Sequence, residues 1–179
     1  MPDDAWIGEA APYLTPREPG QGDAWTAEAA SRGRRGGQRL LYAGEAEAPE
    51  AVRVALGIAT GERAVVRRRL ILLDGRPVEL ADSYYPLAVA SGTPLAEPRK
   101  VRGGAVTLLE ELGYAGAEAV EDVSAGLADA EECALLELAP GSAVLRLLRL
   151  TRTAGGTPVE AALMVMPAGR HLTYRLPVP

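Results

Sequence analysis

The chain is poor in the residues that build metal sites and disulfides. Its 179 residues include one cysteine, Cys133, and one histidine, His171. A lone cysteine excludes an internal disulfide framework and a zinc cluster held by several thiolates. A lone histidine excludes a site built from several imidazole ligands. We therefore expect a protein that uses neither a metal nor another cofactor.

Long apolar runs and an excess of positive charge are also missing. No hydrophobic stretch reaches the roughly 18–20 residues that span a bilayer, and no basic-then-apolar leader opens the chain. With 24 acidic and 19 basic residues the formal net charge is -5, which argues against non-specific binding to nucleic acid. We therefore expect a cytoplasmic protein without a membrane partner. Asparagine and phenylalanine are absent and lysine occurs once, a bias typical of a high-G+C bacterial source.

The remaining composition fits one folded domain preceded by an arm. Hydrophobic residues make up 47% of the chain, enough for a sizeable core. Residues 1–37 contain both tryptophans, Trp6 and Trp25, and lack sustained periodicity apart from a short helix predicted to begin at its N-cap, Asp23. We predict an extended, linker-like arm there, whose tryptophans pack on the body or on a partner chain. Residues 38–179 form the predicted domain.

The most informative feature is an internal duplication. The segment Leu56–Glu79 reads as a helix end, a turn, an apolar strand and the motif Asp-Gly-Arg-Pro-Val-Glu. The segment Leu136–Glu160 repeats that order and closes with Gly-Gly-Thr-Pro-Val-Glu. Equivalent residues are 80 positions apart in the strand and 81 apart at the closing glutamates. The chain is therefore expected to fold as two similar half-units.

Each copy predicts a short helix followed by a β-hairpin. Asp74-Gly75 between two apolar runs is typical of a type I′ turn, because that turn requires two positive φ angles. The predicted elements are helices at residues 49–56, 105–112 and 129–136, hairpins of strands 65–73 with 76–85 and 143–153 with 157–166, and further strands at 38–45, 119–126 and 171–176. They indicate an α+β fold with a mainly antiparallel, six- to seven-stranded sheet. A ligand pocket is expected where the two copies meet.

The order of these motifs resembles a known family. The first hairpin ends in Tyr-Tyr-Pro at residues 84–86, residues 108–113 read Leu-Leu-Glu-Glu-Leu-Gly, and the second copy carries Leu-Ala-Pro-Gly and Gly-x-Pro-Val-Glu. Over residues 38–176 the chain resembles the UTRA domain, the effector-binding half of GntR-family transcription regulators of the HutC subfamily. The resemblance implies a chorismate lyase-like fold, a small-molecule effector and a homodimer.

Regulators of that family contact DNA through a winged helix-turn-helix that precedes the UTRA domain. Only 37 residues precede the resemblance here, and they lack the periodicity of that motif. From the sequence we expect DNA contact only through a winged helix-turn-helix absent from this chain. Residues 12–25 resemble the linker that leads into the domain in actinobacterial members.

The hairpin register predicts which side chains share a face. Counting outward from the turn places Arg69 opposite Leu80 and Arg67 opposite Asp82. One face is then expected to hold Arg67, Arg69, Ile71, Val78, Leu80, Asp82 and Tyr84. A pocket on that face would include Asp82 and Tyr84. Tyr84 and Tyr85 point to opposite faces, so at most one of the two candidate tyrosines lines it.

Two arginines are the main candidates for ligand binding. The resemblance implies that Arg69 binds the anionic group of the effector, and the duplication matches it with Arg149. Arginine suits this role because its planar fork offers two parallel donors to a phosphate or carboxylate. The structural alternative is an ion pair between Arg67 and Asp82, with Arg69 paired to another acid. Many relatives carry a further arginine where Ile71 stands, which favours a weaker or more apolar anion over a phosphorylated sugar.

Four further residues are candidates. Glu160 matches a family position whose carboxylate accepts hydrogen bonds from the ligand, although Arg149 or Arg69 would also offset its desolvation. Met166 supplies an adaptable apolar wall or ordinary core packing. Arg102 and Gly104 precede a predicted helix whose open N–H groups attract anions, and a plain surface loop is the alternative.

Three functions compete at this point. The leading hypothesis is a sensor that binds an anionic or polar metabolite between the two copies and thereby controls DNA binding by a complete regulator. The second is a chorismate-lyase-like enzyme, although no positioned nucleophile–base pair is evident in the sequence. The third is a dimerisation partner of a full-length regulator that needs no ligand. We favour the sensor.

Overall fold

The computed structural model describes residues 7–8, 11–17 and 23–174. The strands are β1 (Ile7–Gly8), β2 (Gly36–Glu47), β3 (Arg63–Leu73), β4 (Arg76–Pro86), β5 (Glu118–Leu127), β6 (Ala143–Arg152), β7 (Pro158–Pro167) and β8 (His171–Leu172). The helices are α1 (Ala11–Leu14), α2 (Ala24–Ser31), α3 (Glu50–Leu56), α4 (Leu87–Ala90), α5 (Ala105–Glu111) and α6 (Ala130–Leu136), with a 3-10 turn at Pro94–Ala96. Within these residues no helix combines the length and the apolarity needed to cross a membrane.

The main sheet has six strands in the order β2-β3-β4-β7-β6-β5, and every pair in it is antiparallel. Each copy of the duplication contributes three consecutive strands, and the two halves of the sheet mirror each other in strand order. Strand β2 therefore corresponds to β5, β3 to β6 and β4 to β7. The predicted α+β class and antiparallel sheet are confirmed. The predicted strand at 171–176 differs: β8 pairs in parallel with β1 in a separate two-stranded sheet, and residues 175–176 lie outside the described part.

Local sequence signals determine the element ends. Asp74 and Gly75 have φ angles of 50° and 82°, as the predicted type I′ turn requires. Asp129 accepts a hydrogen bond from the Glu132 N–H at 2.7 Å, and the Glu132 carboxylate caps the Asp129 N–H in return. Asp23 caps α2 as predicted, through the Thr26 N–H at 2.9 Å. These boundaries were therefore predictable from neighbouring residues alone.

The two faces of the sheet are covered by different elements. Helices α3 and α6 pack on one face, where Val52 and Leu136 are buried against sheet residues such as Val66 and Leu80. The opposite face carries α2, α4, α5 and the 3-10 turn, with Tyr85 among its buried residues. Because helices cover both faces, alternate residues of β3 and β4 are buried on either side.

A bulge in the first hairpin corrects the predicted register. Leu73 pairs with Arg76 as expected, but Val78 is inserted between the partners of Leu72 and Ile71. The pairing beyond it shifts by one residue, so the predictions that Arg69 faces Leu80 and Arg67 faces Asp82 were wrong. Arg69 pairs with Ala81, Arg68 with Asp82 and Arg67 with Ser83. Leu80, Asp82 and Tyr84 therefore lie on the face opposite Arg69.

The arm is partly helical and packs on the sheet. Trp25 of α2 is 6% exposed and contacts Ile71, Leu73 and Ala81, and its indole N–H donates to the Leu72 carbonyl at 2.8 Å. Gly36 allows this approach, since a Cβ there would lie 2.9 Å from the Trp25 carbonyl oxygen. The predicted packing of tryptophan on the body is thus confirmed for Trp25, whereas Trp6 lies outside the described residues.

Truncating Trp25 should destabilise the domain strongly. We expect Trp25→Ala to lower the free energy of unfolding by about 3–5 kcal/mol, because it removes a buried aromatic ring and leaves a cavity against the sheet. Val54→Ala, at a side chain that is 64% exposed, should change it by less than about 0.5 kcal/mol. Urea unfolding followed by circular dichroism measures both. Equal effects of the two substitutions would contradict the packing described for α2.

Candidate functional site

A cavity of about 220 Å³ lies on the α2-covered face of the sheet, where the two copies meet. Its floor consists of small residues of the central strands, Ala81, Ser83 and Ala162, which leave the space unfilled. The arm and the C-terminal segment supply its outer wall. Charged or polar side chains that line it include Tyr13, Arg17, Asp23, Arg69, Glu79, Glu121, Arg149, Glu160, Arg170 and Tyr174.

The guanidinium of Arg69 lines the cavity. Its guanidinium donates to Ser83 Oγ at 2.9 Å, and its Nε is buried without a hydrogen-bond partner. Among the residues that the structure describes, no carboxylate forms an ion pair with it. Arg69 is half-buried, and a partly desolvated cation that forms no ion pair favours an anion from outside the chain.

Arg149, the counterpart of Arg69 in the second copy, is already paired. Its guanidinium binds Glu121 Oε1 through Nε and a terminal nitrogen, and both side chains are largely buried. The other carboxylate oxygen of Glu121 accepts a hydrogen bond from the Tyr174 hydroxyl at 2.7 Å. Burial and this bond raise the pKa of Tyr174 to about 12. The two candidate arginines thus line the same cavity, but Arg149 has an ion-pair partner and Arg69 has none in the described structure.

Glu160 lines the cavity and is held by a tyrosine. The Tyr85 hydroxyl donates to Glu160 Oε1 at 2.7 Å. Burial, followed by the negative charge of Glu160, raises the pKa of Tyr85 well above its ordinary value, so this hydroxyl remains a donor. The expected alternatives, an ion pair of Glu160 with Arg149 or with Arg69, are not formed in the described structure.

A second glutamate, missed by sequence reasoning, occupies the equivalent place in the first copy. Glu79 is deeply buried, which raises its pKa, while the nearby Arg170 opposes that rise. Arg170 approaches Glu79 Oε2 at 3.3 Å and lies 5.6 Å above the centroid of the Trp25 ring. The duplication contained the signal for Glu79, since its motif matches that of Glu160. No local signal identified Arg170, which lies 91 residues away along the chain.

Arg67 proves to be a structural residue. Its guanidinium donates to the carbonyls of Leu95, Glu97 and Arg99 at 2.7–2.9 Å and to that of Pro94 at 3.3 Å. Burial lowers the pKa of Arg67. The structural alternative, an ion pair between Arg67 and Asp82, is therefore wrong in its partner, and Arg67 instead orders the loop after α4.

The remaining candidates divide between the cavity and its surroundings. Gly104 and Met166 line the cavity, whereas Arg102 is exposed and does not. Asp82 and Tyr84, predicted as ligand contacts, face the helices on the other side of the sheet because of the bulge in β4. Asp82 lies 3.3 Å from the Arg68 Nε, outside hydrogen-bond geometry. Within the described ranges, no three histidine, cysteine or acidic side chains group as a metal site.

Comparison with known proteins agrees with this architecture. A model of the UTRA domain matches residues 31–171. The chain belongs to the UTRA domain family. The effector-binding domain of GntR-type regulators inferred from the sequence motifs is thereby confirmed. An uncharacterised HTH-type transcriptional regulator of Streptomyces coelicolor is 34% identical over 155 residues, covering 84% of this chain and 58% of that protein.

Solved structures show the same fold. A GntR-family transcriptional regulator is 29% identical with a TM-score of 0.79, covering 97% of this chain and 70% of that chain. The ligand-binding domain of a GntR-family regulator from Bordetella bronchiseptica is 25% identical with a TM-score of 0.68, covering 93% and 96%. The C-terminal domain of the histidine utilization repressor from Pseudomonas syringae is 26% identical with a TM-score of 0.67, covering 80% and 100%.

The environment of Asp82 generates a prediction about pH. Burial raises the pKa of Asp82 to about 6, above its ordinary value of about 3.8, so the folded state retains a proton that the unfolded chain has lost. Stability should therefore fall as the pH rises from about 4 to about 6, by about 2 kcal/mol for this group. Asp82→Asn should flatten that part of the profile.

Urea unfolding at several pH values between 4 and 6.5 measures the slope. Asp122→Asn, at an exposed aspartate of β5, is the matched control and should leave the slope unchanged. The prediction is wrong if Asp82→Asn and the unsubstituted domain lose stability equally over this window.

Proposed function

We propose that this UTRA domain binds an anionic or polar metabolite in the cavity, with Arg69 as the main contact to its negative group. The observation that carries the proposal is the guanidinium of Arg69, which lines the cavity, forms no ion pair within the described residues and has a buried Nε without a hydrogen-bond partner. Two other arginines of the cavity, Arg149 and Arg170, each form an ion pair with a glutamate. A ligand anion would therefore gain more electrostatic stabilisation at Arg69 than at Arg149 or Arg170.

The surroundings of Arg69 support an anion. A smaller recess of about 120 Å³ adjoins it and is also lined by Arg67 and Lys100, with no acidic residue among its lining. Lys100 pairs with Asp23 at 3.4 Å, whereas the guanidinium of Arg67 contacts carbonyl oxygens and no carboxylate in the described structure, so this end of the site keeps a positive charge beside Arg69. Because the guanidinium is planar, it can donate two parallel hydrogen bonds to a carboxylate or phosphate.

The other parts of the cavity fit an organic body with hydrogen-bond donors. Glu160 offers carboxylate oxygens that accept from ligand hydroxyl or amine groups, and the Tyr85 hydroxyl holds it in place. Ile71, Met164 and Met166 supply apolar wall, and the methionines can adapt their shape. We propose that Gly104 lets the backbone approach the ligand closely, since its φ of 88° suits glycine.

We propose that ligand binding regulates a HutC-type transcription regulator in the cytoplasm. The ligand would favour one conformation of the domain, and the winged helix-turn-helix of a complete regulator would respond by binding or releasing DNA. Membership of a regulatory domain family favours binding over catalysis, so we propose no reaction for this site.

We also propose a homodimer that buries the β5 edge. Val120, Val123 and Leu127 of this strand are 49%, 46% and 68% exposed. An uncovered edge strand with aliphatic side chains readily pairs with another chain. A second copy of the domain is the expected partner.

Substituting Arg69 should weaken ligand binding selectively. The ligand would first be identified by thermal-shift screening of a metabolite library, and its affinity measured by calorimetry. Arg69→Met should lower that affinity about 10- to 100-fold, because it removes a charge-assisted hydrogen bond. Arg76→Met, at an exposed arginine outside the cavity, should leave it unchanged. Unaltered affinity in the Arg69 variant contradicts the proposed function.

A charge on β5 should disrupt the dimer. We expect Val123→Arg to convert the domain to a monomer in sedimentation equilibrium, because it places a charge in the proposed interface. Val54→Arg introduces the same charge at an exposed position of α3 and should leave the dimer intact. If both variants sediment like the unsubstituted domain, β5 is not the interface.

A further inference from the structure

The duplication gives the cavity two equivalent arginines. Arg69 on β3 and Arg149 on β6 are 80 positions apart, and β3 and β6 occupy matching places in the sheet. Both side chains line the same cavity. A symmetric site would offer two cationic ends and would suit a ligand with two anionic groups. The asymmetry of the site must therefore come from neighbouring residues.

The flanking strands supply that asymmetry. On β2, Leu40 pairs directly with Arg69, and on the matching strand β5, Glu121 pairs directly with Arg149. Leu40 borders the recess beside Arg69 and cannot bind a guanidinium. Glu121 holds Arg149 through two nitrogens. Equivalent arginines thus face a leucine on one side and a carboxylate on the other.

The C-terminal segment fixes Glu121 in this position. The Tyr174 hydroxyl donates to its Oε2 at 2.7 Å, while its Oε1 receives Arg149. Both carboxylate oxygens are therefore engaged, and Glu121 and Arg149 are only 9% and 13% exposed. A ligand anion at Arg149 would have to lie beside this carboxylate or displace it. Like-charge repulsion at short range in a shielded site disfavours both.

We propose that Glu121 determines ligand specificity by neutralising Arg149, so that the cavity accepts a single anionic group, at Arg69. The inference rests on the proposed function and names the ligand class: a metabolite with one anionic group whose other polar groups are hydrogen-bond donors, which Glu160 can accept. Ligands with anionic groups at both ends, such as dicarboxylates, are rejected. Glu121 is a specificity-determining residue, and Leu40 is its counterpart at the open site.

The test follows the two arginines separately, with inorganic phosphate as the probe. Their Nε–Hε signals are recorded in ¹H–¹⁵N spectra of the domain and assigned with Arg69→Lys and Arg149→Lys. In the unsubstituted domain, phosphate should shift the Arg69 signal but not the Arg149 signal. In Glu121→Gln both signals should shift, with the apparent affinity at Arg149 rising at least 10-fold. Asp122→Asn removes an adjacent, exposed charge and should behave like the unsubstituted domain.

The converse substitution keeps the test decisive if Glu121→Gln fails to fold. Leu40→Glu places a carboxylate opposite Arg69 and should abolish its response to phosphate. The specificity assignment is overturned if Arg149 responds in the unsubstituted domain, if it stays silent in folded Glu121→Gln, or if Arg69 still responds in Leu40→Glu. If Arg69 is silent in the unsubstituted domain while Arg149 gains a response in Glu121→Gln, the proposed function fails and the role of Glu121 stands.

Discussion

The hydrogen-bonded seam between β4 and β7 is the feature on which the rest of the structure depends. Residues 80–84 pair with residues 161–165 along this seam, and it joins the two copies of the duplication into one sheet. On the cavity side the seam carries Ala81, Ser83 and Ala162, whose side chains are too small to fill the space beneath the arm. Larger residues there would close the cavity. The pairing of β4 with β7 thus makes the sheet continuous, and the small side chains on these two strands leave room for the cavity.

Shielding a cavity from water requires that its charges be compensated. Glu121 compensates Arg149, Arg170 compensates Glu79, and these pairs also tie the C-terminal segment to the sheet. Arg69 departs from this pattern because the flanking strand presents Leu40 instead of an acid. Natural proteins tend to leave such a charge without a partner where it serves a functional site. In this domain the departure is the guanidinium of Arg69, which places a positive charge without an ion pair at one end of the cavity.

Much of the fold was predictable because its signals are local. The turn at Asp74-Gly75, the cap at Asp129 and the repeated motifs define the hairpins and their duplication. The face assignment of Asp82 and Tyr84 failed because a bulge at Val78 has no distinct sequence signature, and one inserted residue reverses the face of every later side chain. Glu121, Arg170 and Tyr174 were missed because their partners are distant in sequence. The family resemblance predicted Arg69 and the duplication added Arg149, but only the strand pairing revealed their unequal partners.

In the proposed function, Arg69 receives the anionic group of a ligand inside the cavity between the two copies. A crystal structure of the domain with a ligand identified by screening tests it most directly. We expect electron density for the ligand over Ala81 and Ala162, with its anionic group within hydrogen-bond distance of Arg69 and with the Arg149–Glu121 pair intact. A ligand bound elsewhere, or a cavity filled by the chain's own side chains with Arg69 turned toward solvent, would contradict it.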